Sequence, residues 1–410
     1  MQVVVFEDER VPQLYPVTIG RAACMIGCGS FQLTDLLSLL GPLHLLVRPH
    51  LAATLQADDW DVGFTGSSAG QPVLLVNARL VPSVAVLETL RGMASAGRAG
   101  AVRQGNHLAA ALLAFGEHAK PLPSPGHALQ ATAGLPALPG VAELPMFEYP
   151  HDIIRHHLTS LRPNLEYRLR TGSYREVRDG VFIDAEAKLG EYLTVDTSNG
   201  PIILEQGASV GPYCFLSGPA HLGRAARVIE QAAIKDGVAL GHTTKIGGEV
   251  EGSVIEPYTN KQHHGFLGHS YLGSWVNLGA GTCNSDLKNT YGPVNMEYHG
   301  QRVPTGMQFV GCIVGDYAKS AINTGIFTGK TIGACSMLYG FVTTNVPSFV
   351  NYARLFGQVT ELPVEVMVQT QARMFKRRSV DQRPCDVQLL HDMYELTRHE
   401  RQIAGEPLSL

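Results

Sequence analysis

From Thr259 to Asn289 the chain reads TNKQHHGFLGHSYLGSWVNLGAGTCNSDLKN. Three histidines (His263, His264, His269) and two lysines (Lys261, Lys288) stand there among glycines and asparagines. A neutral imidazole near pH 7 accepts a proton from an ammonium or a developing ammonium. A lysine ammonium is a compact point charge suited to a phosphate. Imidazoles are also zinc ligands, and His264 and His269 have a spacing that two ligands on one chain can use, with His242 available as a third. The same stretch carries Leu267-Gly268, Leu272-Gly273 and Leu278-Gly279, pairs that mark the corners of a repetitive β structure. Acid–base work, metal binding and plain turns are therefore all on offer, and the surrounding elements decide between them.

The frame that positions this stretch begins near Val181. Leu204, Val210, Leu216, Leu222, Val228, Ile234, Leu240 and Ile246 recur every six residues, with glycine following at 211, 223, 241 and 247. Neither an α-helix nor an alternating strand has that period; a left-handed parallel β-helix does, each face of a triangular coil pointing one aliphatic inward. The register is expected to resume, shifted by two, at Phe266, Leu272 and Leu278, which would then point inward. It breaks between Thr282 and Gln308 and returns in the same frame at Val314, Ser320, Ile326, Ile332 and Leu338. An excursion that leaves the frame intact reads as a loop thrown out of the coil, where function concentrates.

Before the coil the texture is α/β. Gln2–Phe6, His44–Pro49 and Pro72–Leu80 read as strands, and Phe31–Leu40 and Ser83–Met93 as helices; His107–Phe115 suits either. This alternation predicts a mostly parallel sheet. Lys120–Pro145, rich in proline, glycine and alanine, reads as an excursion or linker rather than core. After Pro347, Pro363–Arg378 and Asp386–Gln402 read as helices of a C-terminal cap. The expected layout is an α/β domain over 1–175, the β-helix over 176–346 and a helical extension over 347–410.

Composition narrows the function classes. The 410 residues are 45% hydrophobic and 17% charged, with a net charge of -4, so nothing in bulk points to nucleic acid. The basic run Lys376–Arg378 reads as a solvated helix face. No apolar run approaches a membrane span, and the N-terminus MQVVVFEDER lacks the pattern of a signal peptide. Seven scattered cysteines without framework spacing predict a reducing, cytoplasmic setting.

These stretches carry a family likeness. NKQHHGFLGHSYLGSWVNLGAGT, with FEDERVPQLYPVTIGRA (Phe6–Ala22), FEYPHDII (Phe147–Ile154) and NGPIILEQGASVGPYC (Asn199–Cys214), resembles the bifunctional sugar nucleotidyltransferase/acetyltransferases that make UDP-N-acetylglucosamine, in a divergent branch. The resemblance implies an N-terminal nucleotidyltransferase-like domain and a trimeric β-helix acyltransferase domain. It implies acetyl transfer from acetyl-CoA to the amine of a hexosamine 1-phosphate. By resemblance His263 is the base, with His264 beside it as the rival. Lys261, Phe266, Asn277, Asn284 and Lys288 fall at sugar-phosphate positions; Asn277 also suits an asparagine ladder along the coil. The acetyl-CoA would run along the coils past Ala280, Gly311, Lys319 and Asn323.

The chain departs from the family where chemistry is most demanding. Phe266 replaces a tyrosine and His269 an aspartate. The first strand is followed by FEDERVPQLYPVT, without the glycine-rich turn that cradles a triphosphate. Arg10 and Arg21 are the anion-binding candidates there, or else ordinary ion pairs. Where the family has a metal aspartate, this chain has Asn77-Ala78-Arg79, leaving Asp8 or Asp152 as substitutes for Mg²⁺. Nucleotidyl transfer with NTP and Mg²⁺ is thus one alternative function. A non-catalytic sugar-nucleotide binder is another. A zinc enzyme resembling the γ-class carbonic anhydrases is a third, weakened because Gly247 stands where that pattern needs histidine. The expected ligands are sugar phosphates and nucleotides, and the expected assembly is a homotrimer.

Overall fold

The computed structural model describes residues 1–66, 71–113 and 121–403. The ends of two predicted segments, at Phe115 and Lys120, lie outside them. Contacts divide the chain into two compact units. The first comprises Met1–Leu14, Gly20–Ile26 and Phe31–Tyr149; the second comprises Tyr15–Ile19, Gly27–Ser30 and Pro150–Leu410. The division of contacts thus falls near residue 150, while the sequence changes texture near Val181.

The first unit is built on five strands: β1 (Gln2–Phe6), β2 (Leu43–Leu46), β3 (Val73–Asn77), β4 (Gly100–Gln104) and β5 (His107–Leu113), in the order β2-β1-β3-β5-β4. β1 pairs in parallel with β2 and β3, and β5 runs antiparallel to both β3 and β4. The segment that suited either type is therefore a strand. β1 and β3 are almost wholly buried, which is why they read as continuous apolar runs rather than alternations. Four helices accompany the strands: α1 (Leu33–Leu37), α2 (Pro49–Ala57), α3 (Val84–Ala96) and α4 (Pro125–Ala131). α3 starts where the Ser83 hydroxyl accepts from the Val86 N–H and stops at Gly97 in the left-handed region. The proline-rich segment after residue 120 is not a loose linker. Leu122, Ala128 and Leu144 are buried, the first two in the core beneath the sheet, and bridges tie Leu122 to Phe64 and Ala137 to Ala101.

The second unit opens on α5 (Asp152–Thr171), which the sequence reading did not single out; Pro163 inside it conceals the helical pattern. The β-helix follows. A nine-stranded sheet runs from Arg175–Arg178 to Lys330–Ile332, and two five-stranded sheets complete the triangle through Asn260–Lys261 and Phe266–Gly268. All eight aliphatics of the first register, Leu204 to Ile246, lie in the coil's core. Val314, Ile326, Ile332 and Leu338 do so after the excursion, in frame, with Ser320 buried between them. α5 lies on the outer face of the nine-stranded sheet, where Leu161 and Leu165 meet Ile203 and Ala239. Those outward apolar residues explain why this face needs a cover.

The middle coils depart from the predicted frame. Leu240 pairs with Ile255, Ile246 with Lys261 and Val250 with Leu267, so shortened turns carry the inward row through Val250, Ile255, Lys261 and Leu267. Phe266 is accordingly not an inward residue: it is half-buried, and Leu267 occupies the core position. Leu272 and Leu278 do point inward.

The C-terminal segment forms α6 (Val364–Arg377), α7 (Pro384–Leu396) and α8 (Arg398–Ile403). Phe375 of α6 packs on Trp275, which stacks on Tyr258 with ring centroids 4.2 Å apart. Tyr258 and Trp275 stand at coil corners with positive φ, so Phe375 fastens α6 to one edge of the triangle.

Candidate active site

His263 and His264 occupy the corner between Asn260–Lys261 and Phe266–Gly268, and both are exposed. Among the described residues neither imidazole has a hydrogen-bond partner. The next coils stack on this corner: the Gly281 N–H donates to the His264 carbonyl, and the Asn323 N–H to the Ala280 carbonyl. Gly281 has φ +75°, and a Cβ there would stand 2.1 Å from Asn323 Oδ1 and 3.4 Å from His264 Nε2. The missing side chain is what lets His264 and Asn323 approach each other. The exposed Cys283 adjoins them, its Sγ 3.4 Å from the Phe266 nitrogen, a neighbour that the sequence reading passed over. His263, His264, Phe266, Ala280, Cys283 and Asn323 thus gather at one edge of the coil.

Lys261 is corrected. It takes an inward position in line with Ile246 and is 2% exposed. Its ammonium donates to the carbonyls of Gly247 (2.7 Å), Gly265 (2.6 Å) and His263 (3.3 Å). Burial pushes its pKa down to about 8. It braces the corner from inside and is not a ligand for an external phosphate. Asn284 is corrected on the same ground. Its amide accepts from the Gly268 N–H and donates to the Gly268 carbonyl and the Ser270 hydroxyl, inside the coil. Gly311 is enclosed as well: a Cβ there would meet the Gly268 carbonyl, Ser270 and Asn284 within 2.3 Å. It offers no surface to a cofactor.

A different set of cations lines the outer face beside the corner. Arg227 pairs in register with Lys245, Lys245 with Asn260, Asn260 with Asn277, and Asn277 with Lys319. Arg378, just past the end of α6, donates to Asn260 Oδ1 at 2.6 Å, so the basic run is not merely solvated. Asn260 and Asn277 form the start of an asparagine ladder, 3.4 Å apart. Burial and the neighbouring Arg378, Arg227 and Arg377 hold the Lys245 pKa below its usual range. Like charges gathered this way favour an anion. The signal was present in the sequence as the six-residue frame itself, because Arg227 and Lys245 each precede an inward aliphatic. Lys319 is half-buried, donates to the Tyr317 carbonyl, and has its pKa pushed down to about 8 by burial.

Lys288 lies elsewhere. It donates to the Pro293 carbonyl and lines a cavity that excludes His263. The zinc candidates do not converge. His269 Nδ1 is 2.8 Å from Asp286 Oδ2, and His242 packs edge-on against Tyr258 at another corner. No cluster of three metal-ligating side chains occurs among the described residues. No described helix is long and apolar enough to cross a membrane.

In the first unit the residues do not fit a divalent metal. Arg79, fully buried, holds Asp8 through Nε–Oδ1 (2.9 Å) and Nη2–Oδ2 (2.7 Å), and Asn77 donates to Asp8 Oδ2 as well. Arg79 also holds the Asp8 carboxyl below its usual pKa against the upward push of burial. Arg10 is ion-paired with Glu148, which Arg79 also reaches. The Arg21 carbonyl accepts from Arg48, whose guanidinium grips Glu7. Asp152 belongs to the second unit and is ion-paired with Arg155.

Residues 3–171 match the family model described as Sugar nucleotidyl transferase. The chain is 28% identical over 144 residues to the Bifunctional protein GlmU of Methanococcus vannielii, covering 35% of this chain and 34% of that one. It is 28% identical over 148 residues to the bifunctional sugar-1-phosphate nucleotidylyltransferase/acetyltransferase of Sulfurisphaera tokodaii, covering 36% and 37%. The matched stretches thus span about a third of the length of these relatives. Among solved structures, the UDP-N-acetylglucosamine acyltransferase of Francisella novicida overlaps 57% of this chain and 79% of its own, with 14% identity and a TM-score of 0.35.

Proposed function

We propose that this chain is a sugar-phosphate transferase that moves an acetyl group from acetyl-CoA to the amine of a hexosamine 1-phosphate or a nucleotide-linked amino sugar. The reading is carried by the exposed His263/His264 corner, braced from inside by Lys261 and flanked by the cationic row that ends at Asn277 and Lys319. The likeness to bifunctional nucleotidylyltransferase/acetyltransferases supports it.

In this reading the substrate amine attacks the thioester carbonyl carbon. The C–N bond forms, the C–S bond breaks, and the amine proton passes to the His263 imidazole and on to the departing thiolate. Arg227, Lys245 and Arg378 receive the substrate's phosphate, the part assigned from sequence to Lys261. A neutral amine is the competent nucleophile, and the exposed His263 imidazole stands where it can accept the amine's proton as the C–N bond forms. The assembly in this reading is a homotrimer, supported by the exposed apolar side chains of Ile322, Phe327 and Phe341.

Nucleotidyl transfer by the first unit is the second reading, favoured by the match over residues 3–171. The Arg79–Asp8 pair weighs against its metal-dependent form. Incubating the full chain with a panel of sugar 1-phosphates, acetyl-CoA and NTPs, and reading product mass, separates the two. An acetylated amino sugar supports the first, and a nucleotide sugar with pyrophosphate supports the second. Acetylation that survives His263→Ala at full rate overturns the assignment of the base.

A further inference from the structure

The excursion between Asn284 and Gly311 encloses a second site. Its hairpin, Asn295–Tyr298 with Gln301–Pro304, stands over the nine-stranded face and leaves a cavity of about 880 Å³. That volume accommodates a ligand of nucleotide size. The other walls are Thr328–Thr331, Thr343–Pro347 and the segment around Tyr15, all in the second unit. Neither His263 nor any residue gathered around it lines the cavity.

The walls are tied in place. The Tyr298 hydroxyl and His151 Nδ1 are 2.9 Å apart, with their rings stacked. Asn345 donates to the Glu297 carbonyl at 2.9 Å, and Arg155 to the Thr305 carbonyl. A pocket whose walls are already fixed loses little ordering entropy on binding.

Its charge is unbalanced. Lys288, Arg302, Lys330 and Arg354 line it, against Glu297 and Glu400. Glu400 is turned to the Ser348 N–H, and the Arg302 guanidinium lies beside the side-chain amide of Asn295. Lys330 is half-buried, its ammonium makes no hydrogen bond among the described residues, and burial lowers its pKa against the pull of Glu297. A cleft with a surplus of one sign concentrates ions of the other. Guanidinium and ammonium groups together suit phosphate oxygens, and the Thr331 hydroxyl adds a hydrogen-bonding group to the wall.

We propose that this cavity binds a small phosphate ester, at a site separate from the His263 corner, with Lys330 and Arg302 as its anion contacts. Titration calorimetry on the full chain with inorganic pyrophosphate and with UDP tests it. Binding of either that falls about tenfold or more in Lys330→Ala and in Arg302→Ala supports the proposal. Binding of UDP alone adds a nucleoside contact; binding of both equally places recognition on the phosphates. Arg302 is exposed, so its variant stays informative if Lys330→Ala misfolds. No binding of either probe, or binding that both variants retain, overturns it. Acetyl transfer is read in parallel, so loss of that activity is distinguishable from failure of this site.

Discussion

Arg79 and Asp8 form a bidentate ion pair inside the first unit, Arg79 fully buried and the Asp8 side chain 3% exposed. Arg79 and Asn77 satisfy both oxygens of the Asp8 carboxylate, so it is not available to a metal. Removing one partner strands the other's charge. Arg79→Met is therefore expected to destabilise the first unit by about 3–5 kcal/mol, and Asp8→Asn combined with it to recover part of that loss. Denaturant titration measures both. The same pair predicts that millimolar Mg²⁺ leaves the melting temperature unchanged, because binding to the folded state would raise it.

The two exposed histidines make separable predictions. His263→Ala is expected to lower kcat for acetyl transfer by about 10²–10⁴-fold with little change in KM for the sugar phosphate, as loss of a general base does. His264→Ala is expected to cost far less, because that ring packs across Gly281 toward Asn323. Steady-state kinetics on both variants decides between them. The reverse ranking would transfer the role to His264.

Much of this architecture was legible because the coil repeats itself. One inward aliphatic every six residues places Leu204 through Ile246 without reference to anything distant, and Val314 through Leu338 likewise. The frame failed where turns shorten, and the error passed directly to the site. Counting to Phe266 put the wrong side chain inside, and treating Lys261 as a free cation missed that Ile246 is its partner in register. Lysine at an inward position violates the rule that made the rest readable. Only the three carbonyls it meets explain it. Asn284 was opaque for a similar reason, since an asparagine in a loop motif and one bonding the coil's own backbone look alike in sequence. The row Arg227, Lys245, Asn260, Asn277 was legible in principle, but its residues are adjacent only after the coil closes.

Buried Lys261 also has a pH signature. Its folded pKa, about 8, lies below the ordinary value of 10.5. Between those values the unfolded chain binds more protons, so this residue makes stability rise with pH across that window. Below pH 8 the penalty for burying its charge is fully present; above 10.5 it is gone. Lys261→Met should remove this contribution. The wild-type denaturation midpoint is expected to rise relative to that of the variant as pH rises from 8 to 10.5, whichever is the more stable at pH 8. Curves that stay parallel would mean the ammonium is not desolvated.

Ile322, Phe327 and Phe341 are 68%, 49% and 54% exposed, and the rings of Phe327 and Phe341 lie 6.3 Å apart. Phe341 pairs in register with Gly325, which pairs with Cys283, the neighbour of Phe266. The apolar surface therefore starts beside the histidine corner. Large exposed aromatics grouped this way mark a surface that a partner covers. If a second copy covers it, the corner is completed by the neighbouring chain, and assembly and activity are lost together. Phe341→Asp is expected to convert a trimer to monomers in sedimentation velocity, to leave the far-ultraviolet circular dichroism unchanged, and to abolish acetyl transfer. Trimers that persist in Phe341→Asp would move the interface elsewhere. Monomers that keep full activity would confine the site to one chain.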